Sequence, residues 1–138
     1  MLSARITGFQ HLGVPVTDLQ RSKAFYLRLG FREALATTLT MPEGDILVAM
    51  LEVAGFVLEL YQLPGTGGAE IGTRGHGHID HFALDVDDIQ QVWTTVTAAG
   101  LTPLESAPVF LPFWEKGVYY FNILGPDGER VEFNQRIR

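Results

Sequence analysis

Residues 11–31 recur in register 70 positions later. His11, Val16, Asp18, Leu19, Gln20, Gly30 and Phe31 align without a gap on His81, Val86, Asp88, Ile89, Gln90, Gly100 and Leu101. This repeat constrains the fold more than any single motif, because each copy must be one supersecondary unit built like the other. Each copy opens on an alternating run expected to form a half-buried strand. In residues 9–16, Leu12, Val14 and Val16 share one face, and His11 and Gly13 share the other. The second copy sets Phe82, Leu84 and Val86 against His81 and Ala83. A tiny residue thus follows each histidine on its own face, leaving room above the sheet.

A helix is expected next in each copy. Asp18 and Asp88 stand where a carboxylate can accept hydrogen bonds from free first-turn N–H groups. Ile89, Val92, Trp93 and Val96 form an i, i+3, i+4, i+7 stripe suited to packing on a sheet, and Phe25, Tyr26 and Leu29 serve the first helix. Gly30 and Gly100 supply the left-handed position that ends a helix. Three strand-like runs follow in the first half, at 32–40, 46–53 and 56–62, and three in the second, near 102–107, 117–124 and 129–135. The last strands repeat as well, at an offset of 73: Gly55, Glu59 and Gln62 match Gly128, Glu132 and Gln135. Three extra residues therefore lie between helix and last strand of the second half, most simply within 108–117. The expected architecture is α+β, a single domain of two tandem βαβββ modules, about 6–62 and 78–135. A glycine-rich, mostly polar and mobile linker at 63–77 is expected between them.

Strand parity gathers the chemistry. Glu59 is out of phase with Leu58 and Leu60, and Glu132 with Val131 and Phe133. If those apolar residues face the helices, both glutamates share the histidine faces. Two imidazoles and two carboxylates make a hard-to-borderline donor set for a divalent metal, with positions left open for water or substrate. Each residue alone would read as structural; the matched repeat positions give the metal reading its weight. His76 and His78 fall in the joint, off the repeat register, and read as loop residues. Tyr61 and Asn134 share the glutamate faces and are candidate pocket residues. Residues 109–117, with Phe113, Trp114 and Lys116, are longer and more aromatic than a simple turn. They would form either a lid in which Lys116 meets an anionic substrate, or a cover for core or dimer interface.

Other classes are excluded on composition. The chain has no cysteine, so disulfides, thiolate metal sites and cysteine nucleophiles are ruled out. A net charge of −6 is the wrong sign for a nucleic-acid footprint. No apolar run reaches the ~18–20 residues of a membrane span, and the first residues lack a secretory pattern. A cytoplasmic location is expected.

The chain resembles the vicinal oxygen chelate superfamily, which includes glyoxalase I, methylmalonyl-CoA epimerase, ring-cleaving dioxygenases and fosfomycin and bleomycin resistance proteins. The resemblance runs from about residue 6 to 135. It is carried by His11 with Val16–Thr17–Asp18–Leu19, by Phe25–Tyr26 with Leu29–Gly30–Phe31, and by Glu59. In the second half it is carried by His81 with Val86–Asp87–Asp88, by Gly125–Pro126–Asp127–Gly128, and by Glu132. It implies paired modules curved into a sheet cup around a metal, commonly completed by a homodimer, and a small-molecule substrate. The His/Glu/His/Glu pattern is similar to glyoxalase I, which implies metal ligation by His11, Glu59, His81 and Glu132. Nickel, cobalt or zinc would be usual, with manganese or iron as further choices. It also implies proton transfer through a metal-bound enediolate, with Glu132 or Glu59 as the catalytic shuttle. The same resemblance leaves open an epimerase, a fosfomycin-type thiol transferase, or a drug-sequestering binding protein. Pro15 and Leu63 stand where glutathione lyases carry Arg and Asn, which puts glutathione in doubt as the thiol.

Overall fold

A computed structural model of the chain describes residues 11–78, 81–111 and 115–138, with backbone alone at 77 and 78. The chain divides into two compact units, Met1–Thr73 and Arg74–Arg138. Unit 1 runs β1 (Leu12–Pro15), α1 (Leu19–Arg28), β2 (Arg32–Met41), β3 (Gly44–Val53) and β4 (Phe56–Gln62). Its sheet has the order β1-β4-β3-β2, with β1 parallel to β4 and the other pairs antiparallel. A short α2 (Gly65–Ile71) follows, then a single 3-10 turn at Gly75–His78.

Unit 2 runs β5 (Phe82–Asp85), α3 (Ile89–Ala98), β6 (Val109–Leu111), β7 (Val118–Leu124) and β8 (Arg130–Arg136). Its sheet has the order β5-β8-β7-β6, the same pattern as in unit 1. The α+β architecture of two βαβββ modules expected from the repeat is therefore the observed one. None of the helices among the described residues is long and apolar enough to cross a membrane.

The duplicated sequence positions make duplicated contacts. Asp18 accepts from Arg21 N at 2.9 Å, and Asp88 from Gln91 N at 3.0 Å, so each carboxylate satisfies a donor in its helix's first turn. Gln62 Oε1 accepts from Leu19 N at 2.7 Å, and Gln135 Oε1 from Ile89 N at 3.0 Å. The last strand thereby holds the first helical residue in both units. Gly30 and Gly100, at φ +94 and +77, let the chain reverse so that Phe31 N and Leu101 N reach back to Tyr26 O and Val96 O, each at 3.2 Å.

Each core lies between sheet and helix. In unit 1, Val14, Val16, Leu51, Leu58, Leu60 and Tyr26 are fully buried, and Tyr26 meets Phe25 and Phe31 edge-on at 5.0 and 5.5 Å. In unit 2, Ile89 and Val96 of the predicted stripe are buried, Trp93 stacks edge-on against Phe121 at 5.0 Å, and Val131 and Phe133 are buried beneath them.

Three expectations need correction. The strand foreseen near 102–107 is reduced to one bridge, Pro103 to Ile123, and regular pairing resumes only at β6. Proline has no N–H to extend a ladder, and the Glu105 carboxylate instead accepts the ladder donor Asn122 N at 2.7 Å. Residues 109–111, expected to belong to a lid or to a loop covering core or dimer interface, pair with β7 in a strand. The joint at 63–77 carries a helix whose Ile71 is buried, so hydrophobic anchoring outweighs the poor helix propensity of its three glycines. A Cβ on Gly68 would sit 2.6 Å from Leu63 O, which is why glycine is needed there. The first strand is described from Leu12 onward; residues 9 and 10 of its expected span lie outside the described residues.

Candidate metal and substrate site

The first strand and the last strand of each unit run side by side, and this places one histidine beside one glutamate. In unit 1 Gly13 is in register with Glu59; in unit 2 Ala83 is in register with Glu132. Leu58, Leu60, Val131 and Phe133 are buried on the helix side, so strand alternation turns Glu59 and Glu132 to the opposite face. The result is an imidazole–carboxylate pair in each unit. His11 Nε2 lies 3.1 Å from Glu59 Oε2, and His81 Nε2 lies 3.7 Å from Glu132 Oε2. The carboxylate side chains are 26% and 14% exposed, half-sheltered but reachable from solvent.

These separations bear on whether a divalent ion fits. Two ligand atoms bound side by side to one ion through bonds of about 2.1 Å lie about 3.0 Å apart at a right angle, and about 3.4 Å apart at a tetrahedral one. The unit 1 pair, at 3.1 Å, falls within that range, and the unit 2 pair, at 3.7 Å, lies just beyond it. Each pair supplies one imidazole nitrogen and one carboxylate oxygen, a donor set suited to zinc, nickel or cobalt. The unit 1 pair therefore fits one ion as it stands, and the unit 2 pair fits once its side chains close slightly. Among the described residues no group of three or more His, Cys, Asp or Glu side chains is gathered.

The surroundings of the two pairs differ. Asn134 Nδ2 donates to Glu132 Oε1 at 2.7 Å, fixing that carboxylate's rotation and leaving Oε2 toward His81. The equivalent position in unit 1 is Tyr61. A Cβ built on Gly13 would lie 3.6 Å from Tyr61 Cε1 and 3.7 Å from Glu59 Oε2, so glycine keeps the space over the carboxylate open. Gly13→Leu should therefore fill that space without touching the core. Its expected outcome is an unfolding free energy within about 1 kcal/mol of wild type, with at least a tenfold drop in metal affinity by competitive chelator titration.

Lys116 is exposed and lines an open cavity of about 490 Å³ with Asp85, Glu115, Arg136, Ile137 and Arg138. It stands among both signs of charge, and Asp85 already lies 4.0 Å from Arg138. Phe113 and Trp114 lie outside the described residues. Pro15 is buried, and Leu63 packs against the start of α2, so neither position offers a polar group. His76 belongs to the 3-10 turn before β5, away from any strand register.

Three site-face residues escaped the sequence argument: Arg130, Asn122 and Met50. Asn122 is in register with Glu132, as Met50 is with Glu59. Arg130 has the same strand parity as Glu132. The parity rule that found the glutamates would have found them too, had it been carried one strand inward and one step upstream.

The family model described as the Glyoxalase/Bleomycin resistance protein/Dioxygenase superfamily matches residues 8–133 of this chain. A protein of Bacillus subtilis (strain 168), described as uncharacterized protein YwbC, is 34% identical over 128 residues, covering 91% of this chain and 95% of its own. A glyoxalase family protein from Enterococcus faecalis shares the fold with a TM-score of 0.73 at 18% identity, over 94% of this chain and 98% of that one. The fosfomycin resistance protein FosX from Listeria monocytogenes does so with a TM-score of 0.68 at 14% identity, over 93% and 90%.

Proposed function

Because the chain belongs to the glyoxalase/bleomycin resistance protein/dioxygenase superfamily, we propose that it is a divalent-metal-dependent lyase or isomerase of the glyoxalase I type. Its substrate would be a small molecule with two neighbouring oxygens, and its reaction a proton transfer at the adjacent carbon. The observation that carries this reading is the matched pair of His–Glu contacts, one per unit, at equivalent strand registers.

His11, Glu59, His81 and Glu132 would hold the ion, with each unit contributing two donors. The bound ion would supply Lewis acidity, polarising the substrate oxygens and acidifying the neighbouring C–H. The chain's own residues do the rest. Glu132 is the better proton shuttle of the two glutamates, because Asn134 holds one oxygen and so aims the other. Gly13 and Ala83 keep space for substrate over the carboxylates. The apolar Pro15 and Leu63 favour a substrate other than a glutathione adduct, or an epimerase or thiol transferase reaction in the same site.

Metal analysis of purified protein incubated with nickel, cobalt or zinc and then desalted is the first test, and stoichiometric retention is expected. Isomerisation of methylglyoxal hemithioacetals made with several thiols follows. Turnover with a thiol other than glutathione is the expected result. Loaded protein that is inert with every thiol yet exchanges an α-proton for deuterium would move the reading to an epimerase. Protein that retains no divalent metal at all would sink the metal-dependent reading, leaving sequestration of a small molecule.

A further inference from the structure

Glu132 is flanked by two buried polar atoms without a hydrogen-bond partner, Arg130 Nε and Asn122 Oδ1. Both belong to the candidate site's face. Arg130, Glu132 and Asn134 alternate with the buried Val131 and Phe133, and Asn122 alternates with the buried Phe121 and Ile123. Asn122 stands directly across from Glu132 on β7. The register of β5 on β8 pairs Phe82 with Val131, so Arg130 falls one step upstream, beside His81.

Asn122 is only 4% exposed, and its donors are committed. Its N–H donates to Glu105 Oε2 at 2.7 Å and its Nδ2 to Glu105 Oε1 at 2.8 Å. A carboxylate facing Nδ2 fixes which end of the amide is which, and the free acceptor is thereby Oδ1. A buried polar atom without a partner costs about 1–3 kcal/mol, and such atoms in a native fold call for a reason. Unit 1 shows the fold does not require them. The equivalent residues there are Val57 in place of Arg130 and Met50 in place of Asn122, both apolar.

We propose that Arg130 and Asn122 form a substrate subsite beside Glu132, taking a small carbonyl compound that carries a carboxylate. Arg130 donates from its guanidinium to the anionic group, and Asn122 Oδ1 accepts from a hydroxyl where the compound carries one. Unit 1 has no counterpart, so unit 2 alone reads the charged end. The assignment deepens the proton-transfer reading above and rests on it for the reaction, though the subsite itself is made by the chain without metal.

Isothermal titration calorimetry of the full-length, metal-free protein with pyruvate and with its neutral analogue 2,3-butanedione tests the subsite free of chelation. Pyruvate is expected to bind about tenfold more tightly or better, the scale of one charge-assisted hydrogen bond. Arg130→Gln should shrink the ratio to about twofold or less, while Arg130→Lys should keep most of it. Equal binding of the two compounds, binding of neither, or an unchanged ratio in Arg130→Gln would overturn the subsite. If Arg130→Gln fails to fold, the wild-type ratio and Arg130→Lys still decide. Metal content, measured on the same preparations, scores the other reading separately. Wild-type protein that holds no metal yet prefers pyruvate leaves the subsite standing and removes the metal chemistry.

Discussion

Glu132→Gln is expected to lower kcat by about 10²–10⁴-fold, the usual contribution of a positioned general acid or base. Metal content should fall far less. The position of the carboxylate decides this. Its Oε1 is held by Asn134 at 2.7 Å and its Oε2 faces His81 at 3.7 Å. Glutamine matches the side chain in size. With its carbonyl oxygen toward His81 it keeps a neutral donor for an ion, while the Asn134 amide can turn its oxygen to the new NH2 group. What it loses is the anionic oxygen that takes a proton. The core is on the other side of the strand, so stability should stay within about 0.5 kcal/mol of wild type. Steady-state kinetics on hemithioacetal and metal analysis on one preparation check both halves. Equal losses of rate and metal would make Glu132 a ligand only. A larger rate loss in Glu59→Gln would give the shuttle to the other unit.

The largest loss of stability is expected from Gly125→Ala, at about 2–4 kcal/mol. Gly125 opens the turn before β8, where its N–H donates to Glu129 O at 2.8 Å and its carbonyl accepts from Gly128 N at 3.0 Å. The side chain of Glu129 folds back over it. That residue is fully buried, and its Oε2 accepts from Asp127 N at 2.9 Å. A methyl carbon on residue 125 would come within 2.8 Å of Glu129 Cγ and closer still to its carboxyl group. The carboxylate must then leave a site where its hydrogen bonds offset its burial. Gly128→Ala is the control: its φ of +80 strains any other residue, but no atom lies within 4 Å of a new Cβ. It should cost about 1 kcal/mol. Urea denaturation of both variants checks the order; a Gly128→Ala loss equal to or above that of Gly125→Ala would refute the packing argument.

The repeat made much of this fold legible. Period-two alternation around His11 and His81 gave the strand faces, and the parity of Glu59 and Glu132 against their buried neighbours gave the paired contacts. Both signals are local, and both are enforced by burial on one side of a sheet. The misses came where a side chain overrides a local pattern. Residues 102–107 read as a strand, but Pro103 cannot donate and Glu105 captures a ladder N–H that a backbone carbonyl would have taken. The glycines of 65–68 read as a mobile joint, while the burial of Ile71 that anchors their helix depends on contacts distant in sequence. Asn122 is a polar residue between the apolar Phe121 and Ile123, with no local pattern to single it out. Only its register with Glu132 shows which wall it belongs to.

The hydrogen bonds that Leu19 N donates to Gln62 and Ile89 N donates to Gln135 have a consequence for how such a chain can diversify. They tie last strand to helix from outside the site, so strand register is set by the buried face and these two amides. The residues over the open face are then free to change without shifting the backbone beneath them. One unit can carry Met50 and Val57 where the other carries Asn122 and Arg130, on the same strand frame. A scaffold whose alignment does not depend on its site residues can trade one chemistry for another by single substitutions, one wall at a time. That is the kind of frame on which a superfamily of unlike activities can be built.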